Sequence, residues 1–287
     1  MSKHLSVLVE EVIENLQPNS GGTYLDATFG GGGHSRIILE RSEPDGRVVG
    51  IDRDPAVKVW ADQLATSFPG RIEFHNISFD RVGELSQKFD GILADLGMSS
   101  DQLEDETRGF SFSKDSPLDL RFDDRSGQTA AQFLQQASQS KIAEIFYDFA
   151  QDRHAGYLAA KIVAARKIYP IKSTQDFVSI VGTNQPKVLA PLFQALRIQV
   201  NDELNVLKRG LRSMASSLKP GGRLAIISFH SLEDAIVKEF FRSSDELKII
   251  TKKPITSSNE EIIKNPRSRS AKLRVGERLE EGTDDRQ

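Results

Sequence analysis

The 287-residue sequence contains no cysteine. That excludes disulfides and thiolate metal sites, and it suits a reducing compartment, so a cytoplasmic location is the expectation. No run approaches the roughly 20 consecutive apolar residues that a membrane-spanning helix needs. The start, Met1-Ser2-Lys3-His4-Leu5, lacks the apolar core of a signal peptide. Neither charge dominates: the formal net charge is −3, so contact with nucleic acid must come from a local patch. His, Asp and Glu nowhere cluster at convincing metal-ligand spacing, and no metal is expected. Apolar residues, by contrast, make up 38% of the chain against 28% charged, enough for one large domain or two modest ones.

The chain is organised around Tyr24-Leu25-Asp26-Ala27-Thr28-Phe29-Gly30-Gly31-Gly32-Gly33-His34-Ser35. A short apolar run carries an acid, breaks into four glycines and resumes as Arg36-Ile37-Ile38-Leu39-Glu40, which reads as a helix. Strand, glycine loop and helix form the nucleotide-binding entry of a doubly wound α/β sheet. Glycines let the backbone approach a ligand closely, and free N–H groups at the helix start can hold its polar end. A dinucleotide loop would read G-x-G-x-x-G, but Ser35 stands at the last position. Asp26-x-Thr28-x-Gly30-x-Gly32 instead resembles the acid-plus-glycine loop of class I methyltransferases, with Thr28 where a first glycine often stands. A carboxylate here suits the ammonium and sulfonium of S-adenosylmethionine and repels a pyrophosphate.

Apolar spacing from Val7 to Leu16 predicts a lead-in helix, and residues 23–29 the first strand. Arg47 to Asp52 is a second strand ending in an acid, about twenty residues past the loop, where Rossmann-like sheets bind ribose hydroxyls. Asp54-Pro55 then opens a helix as N-cap and first residue. Arg71 to Asn76 alternates as a third strand. Phe79 follows, with two readings: a ring lying along an adenine, or core packing. Phe89 to Gly97 is a fourth strand, and Asp95 ends it at the ligand side. The strand rhythm then stops. Residues 105–197 read as an ordered loop and then helices, one opening at Ser173-x-x-Asp176, and form an inserted helical domain expected to select substrate. The core then has two parts, 1–104 and 198–287. Leu196, Val200, Leu204, Leu207, Leu211, Met214 and Leu218 predict one long helix, ended by Lys219-Pro220-Gly221-Gly222. Arg223 to His230 is a fifth strand and Lys248 to Thr251 a late one. Asn265 to Arg274 is the dense basic stretch, read either as a phosphate-holding strand or as a solvated one. Glu280 to Gln287 reads as a frayed end.

These stretches together resemble one family. His4 to Leu8, Asp26 to Ser35, Gly50 to Pro55, Asp95 to Leu103, Arg108 to Phe112, Phe193 to Arg197, Ser228 to Asp234 and Asn265 to Arg274 are similar to the RsmH family, also called MraW. Its members are bacterial 16S rRNA cytosine-N4 methyltransferases. The resemblance runs over nearly the whole chain and implies a class I methyltransferase (Rossmann-like) doubly wound sheet with an inserted all-helical domain. It implies S-adenosylmethionine as donor, and a cytidine in the decoding region of 16S rRNA or the small ribosomal subunit as acceptor. By matching position, the cofactor contacts are Gly32, Gly33, His34, Asp52, Phe79, Asp95 and Gln102. Two runs depart from the family: Lys187-Val188-Leu189-Ala190-Pro191 replaces a His-Pro-Ala-Thr-Arg-like run, and Phe149-Ala150-Gln151-Asp152 a Tyr-Gly-Glu-Glu. Both lie in the insert.

A cytosine amine is a poor nucleophile because its lone pair is delocalised into the ring. An acceptor at its N–H, Asp95 or Ser99, would raise electron density on nitrogen as the bond forms. These two are the expected catalytic residues, with the Arg267–Arg274 strand on phosphates. Two alternatives stand beside this reading: an NAD-dependent dehydrogenase, against which Asp26 and the missing third glycine argue, and a non-catalytic rRNA-binding module of the same fold.

Overall fold

The computed structural model describes residues 5–280; His4 and the acidic tail at 281–287 lie outside the described residues. The chain forms two compact units, one running up to Gly97 and from Leu204 onward, the other Met98–Glu203. The expected insert, 105–197, falls inside the second unit, which is wider at both ends.

The first unit is built on eight strands: β1 (Thr23–Asp26), β2 (Arg47–Ile51), β3 (Ile72–His75), β4 (Phe89–Asp95), β5 (Leu218–Ser228), β6 (Leu247–Ile249), β7 (Ile255–Thr256) and β8 (Lys272–Arg278). Their order is β3-β2-β1-β4-β5-β8-β6, with β7 paired to β8. The first five run parallel, and β8 enters antiparallel between β5 and β6. The order reverses between β1 and β4, and a doubly wound sheet binds its ligand at the carboxyl ends beside such a switch point.

Alternation along the strands builds two apolar faces. Tyr24, Val48, Leu93, Ala225 and Ile227 join one core with α1 (Val9–Leu16), α2 (Gly33–Arg41) and α3 (Lys58–Ser67), through Val12, Leu16, Ile38, Leu39, Ala61 and Leu64. Their strand neighbours Leu25, Val49, Ile92, Ala94, Leu224 and Ile226 point the other way into a second core. Strands with apolar residues on both faces are what helix-covered parallel sheets require.

The second unit contains α4 (Ser100–Glu104), α5 (Ala130–Gln136), α6 (Gln139–Ala150), α7 (Ala155–Ala165), α8 (Thr174–Val181) and α9 (Pro186–Asn201). Thr129 and Ser173 cap α5 and α8 through capping boxes with Gln132 and Asp176. Phe146, Phe177, Leu192, Phe193 and Leu196 lie in its own core. The segment before α5 is ordered by Arg108, whose guanidinium donates to the carbonyls of Arg121 and Phe122 and stacks on Phe110.

The long helix predicted from Leu196 to Leu218 is two helices. α9 stops at Asp202, which has φ 52°, and α10 (Glu203–Ser216) begins again. Asn201 fixes the break: its amide donates to the Leu120 carbonyl at 2.7 Å and accepts from Phe122 N at 2.9 Å. The apolar spacing persists across the break, so periodicity alone could not reveal it. Lys219 to Gly222 does not end a helix either; it lies within β5. In the first unit, Leu207, Leu211 and Met214 of α10 join Val237 and Phe241 of α11 (Ser231–Ser243) over the second apolar face. The short α12 (Asn259–Lys264) precedes β8.

Candidate active site

The glycine stretch connects β1 to α2 and bends there. Gly30 and Gly32 adopt φ +49° and +73°, conformations that L side chains rarely tolerate. Beneath the loop lies Phe29, 2% exposed. Its ring comes so close to Gly32 and Gly50 that a Cβ at either would meet it at 2.8 and 2.4 Å.

Two acids hold this turn. Asp26 accepts from Ser35 Oγ at 2.6 Å and from Thr28 N at 3.3 Å, closing the loop on itself. Asp52 follows β2 and accepts from Gly30 N and Asp54 N, each at 2.9 Å. Burial raises the affinity of both carboxyls for a proton. It outweighs the Ser35 hydrogen bond at Asp26, and it pushes Asp52 up to about 6 against its two N–H donors. The charges of Asp54 and Asp26 add to the effect at Asp52.

The third acid, Asp95, ends β4. Its N–H donates to Thr28 Oγ1 at 2.6 Å, which ties β4 to the loop, and its Oδ1 accepts from Gly97 N at 2.9 Å. His34, on the first turn of α2, is 7% exposed. Its Nε2 stands 3.6 Å from Asp95 Oδ2 and makes no hydrogen bond. A nearly buried, unpartnered ring nitrogen beside a helix N-terminus marks a polar ligand position.

Asp52, His34, Asp95, Gly32 and Gly33 therefore meet at the carboxyl end of one sheet. Gly32 contributes shape, since its own N–H donates to the Phe29 carbonyl at 2.8 Å. Phe79 begins the turn of 3-10 helix after β3 and packs on Gly210 of α10, where a Cβ would come within 2.3 Å of the ring. Its ring is at least partly a packing element. Ser99 and Gln102 belong to the second unit, where they form the capping box of α4: Gln102 N donates to Ser99 Oγ, and Ser99 N to Gln102 Oε1, both at 3.1 Å.

The structure corrects the basic stretch at Lys272 and Arg274, while Arg267 and Arg269 lie exposed on a turn of 3-10 helix, Pro266–Ser270, and not on a strand. Arg274 is 7% exposed in β8 and bonds Asp234 at 2.7 Å, and Lys272 pairs with the same carboxylate at 3.1 Å. Burial alone would raise the Asp234 pKa, but these two cations hold it below the usual carboxylate range. Arg274 is thus a buried structural cation and not a phosphate ligand.

Sequence reasoning did not single out Ser35 or Thr28 as loop-holding groups, although the signal was present. Ser35 replaces the last glycine of the dinucleotide pattern, Thr28 replaces the first glycine of the methyltransferase pattern, and each supplies a hydroxyl to the turn. Glu233 was also unassigned; 5% exposed, it accepts from Phe229 N at 2.8 Å and His230 N at 3.3 Å and so shapes the end of β5.

The donor set fits a cationic ligand with a nucleoside end. Three carboxyls, two of them resisting ionisation, surround a backbone turn with open φ > 0 geometry. A positive charge relieves that cost, whereas a pyrophosphate increases it. Comparison with known proteins agrees. The model of the MraW methylase family matches residues 1–279. A protein of Thermomicrobium roseum named Ribosomal RNA small subunit methyltransferase H is 43% identical, over 96% of this chain and 94% of its own. One of the same name from a Cyanothece species is 45% identical, over 96% and 95%. These matches support the methylase reading and not the dehydrogenase one. With its glycine turn, three strand-end acids and whole-length match, the chain belongs to the MraW methylase family.

Proposed function

We propose that the protein transfers the methyl group of S-adenosylmethionine to the exocyclic N4 amine of a cytidine in the decoding region of 16S rRNA, as free rRNA or in the small ribosomal subunit. The observation that carries this reading is the gathering of Asp26, Asp52 and Asp95 around the glycine turn, with the unpartnered His34 nitrogen beside them. S-adenosylmethionine, when bound, supplies a methyl carbon already activated by its sulfonium. The protein's work is to bind, align and exclude water, and alignment is worth up to roughly 7–11 kcal/mol in intramolecular models.

Asp52 would accept from ribose hydroxyls, since each of its oxygens keeps acceptor capacity beyond the backbone N–H it already holds. Gly33 N–H and His34 would meet the polar amino-acid end, and Gly32 would give the backbone clearance. Asp26, 1% exposed and bonded within the loop, acts through its field and not by contact. Phe79 would border the adenine with the ring edge left by Gly210, and Gln102 would complete the cofactor contacts.

For the acceptor, Asp95 and Ser99 are the two candidates. Each already accepts one backbone N–H, Ser99 from Gln102 and Asp95 from Gly97, so the charge on the carboxylate makes Asp95 the stronger acceptor for the amine proton. The target base must leave its stack, which costs a few kcal/mol in a helix and less in a loop. The second unit is proposed to select the RNA.

The test uses methyl-labelled S-adenosylmethionine and small subunits from cells lacking the endogenous enzyme, followed by nucleoside digestion. N4-methylcytidine at one position is the expected product. Donor binding without label, on subunits at every stage of assembly, would favour the binding-module alternative.

A further inference from the structure

The second unit carries a second basic stretch, and it is exposed. From Arg153 to Lys172 there are five Lys or Arg and no acid, in a chain whose net charge is −3. The stretch is α7 and the turn that follows it. The buried side of α7, Leu158, Ala159 and Ile162, belongs to the unit's core. The other side and the turn after it are open to solvent at several large side chains. Tyr157 is 71% exposed, Ile168 82% and Tyr169 42%.

Of the chain's four tyrosines, Tyr24 is buried in the first unit, and the other three are exposed on this one. Exposed tyrosines offer flat rings on which a partner's bases can stack. Lys161 lies 5.9 Å from the centre of the Tyr157 ring, so a cation and an aromatic share one helix face. The turn carrying Ile168 and Tyr169 is fixed by backbone bonds from both residues to the Ala165 carbonyl, at 2.9 and 3.0 Å. The platform is therefore ordered before any partner arrives.

The charges sort into two kinds. Arg166 is structural, because its guanidinium donates to the Leu134 and Ala137 carbonyls at the end of α5. Arg153, Lys161, Lys167 and Lys172 form no ion pair among the described residues. The acids that bracket the stretch are turned onto backbone: Asp152 accepts from His154 N at 2.8 Å, and Asp176 from Lys172 N and Ser173 N at 2.9 Å each. What remains is a stretch in which cations alternate with exposed tyrosines, Lys161 and Tyr157 lying together on α7. Phosphates suit the cations, and unstacked bases suit the rings, since every base has a π-face.

We propose that the exposed face of α7 and its following turn is an RNA-docking surface, on which Tyr157 and Tyr169 stack unpaired bases while Arg153, Lys161, Lys167 and Lys172 track the phosphates. It rests on the rRNA substrate proposed above and assigns part of that substrate's binding to specific residues.

The experiment uses the full-length protein with Tyr157→Ala, and separately Lys161→Gln with Lys167→Gln. Binding to a labelled 16S rRNA transcript and to small subunits is measured by fluorescence anisotropy across a salt series, alongside methyl incorporation. All three positions lie on the outer side of α7 or its turn, and unchanged melting temperatures confirm folding. Tyr157→Ala is expected to weaken transcript binding by roughly five- to a hundredfold, the usual yield of one base–aromatic stack. The double glutamine variant is expected to lower the slope of log affinity against log salt by about 1.4, two single-strand phosphate contacts. Donor affinity and the rate at saturating RNA stay at wild-type values. Unchanged transcript affinity and salt slope in both variants overturns the proposal. Loss confined to assembled subunits, with the transcript bound normally, also overturns it and points to a protein partner. A wild-type enzyme that binds the transcript but methylates no rRNA defeats the proposed reaction, while the binding series still decides the docking surface.

Discussion

Asp52 gives the most discriminating prediction about the donor site. Its carboxyl titrates near 6 in the free protein, because burial opposes its charge more strongly than the Gly30 and Asp54 N–H groups favour it. Ribose hydroxyls donating to it would favour the ionised form, so binding releases a proton in this range. If bound nucleoside returned the group to its ordinary 3.8, apparent affinity would fall about tenfold between pH 7 and pH 5, and about half a proton would be released at pH 6. The suitable probe is 5′-methylthioadenosine, which has the nucleoside but lacks the titrating amino-acid end. Titration calorimetry in buffers of different ionisation enthalpy reads both affinity and protons. Asp52→Asn should bind more weakly and lose the pH dependence. The stability of the unliganded protein reports the same group with a fixed sign. A carboxyl whose pKa is raised by folding binds more protons in the native state, so its contribution declines as pH rises from about 4 through about 6 and is constant above. That decline should vanish in Asp52→Asn. Equal wild-type affinity for the probe at pH 5 and pH 7, or an Asp52→Asn variant that retains the dependence, would refute the assignment.

Asp95→Asn should lower the turnover number by about a hundredfold or more, the lower range for a positioned proton acceptor, with a smaller change in donor affinity; full turnover at normal donor affinity removes Asp95 from the chemistry. Gly50→Ala places a methyl 2.4 Å from the Phe29 ring. It should destabilise the first unit by about 1–3 kcal/mol through overpacking, read from urea unfolding, and loosen the glycine turn above it. Asp234→Ala leaves the nearly buried Arg274 without its counter-charge, a loss of about 3–5 kcal/mol for a broken buried pair. The wild-type contribution of Asp234 is present at neutral pH and is lost as pH falls through its lowered pKa, so the gap between wild type and variant should close in acid.

The local chemistry of the chain already determined its parallel strands, its glycine turn and its strand-end acids. Tyr24-Leu25, Val48-Val49 and Ile92-Leu93 are apolar on both faces, which only a sheet covered on both sides can use. Gly30 and Gly32 announced a backbone of positive φ, and the Ser173–Asp176 spacing announced a helix start. These signals are legible because each is satisfied within a few residues. Tertiary structure decided whatever depends on a distant partner. The helix break at Asp202 is set by Asn201 reaching Leu120 and Phe122, about eighty residues earlier. Arg274 looked like a phosphate ligand until Asp234, forty residues away, took its charge. Ser35 and Thr28, each a departure from a glycine pattern, became loop anchors only when β1, β4 and α2 brought Asp26 and the Asp95 N–H to them. A sequence fixes which groups can make a hydrogen bond or ion pair; which of them remain available for a ligand is settled only when folding has assigned the rest.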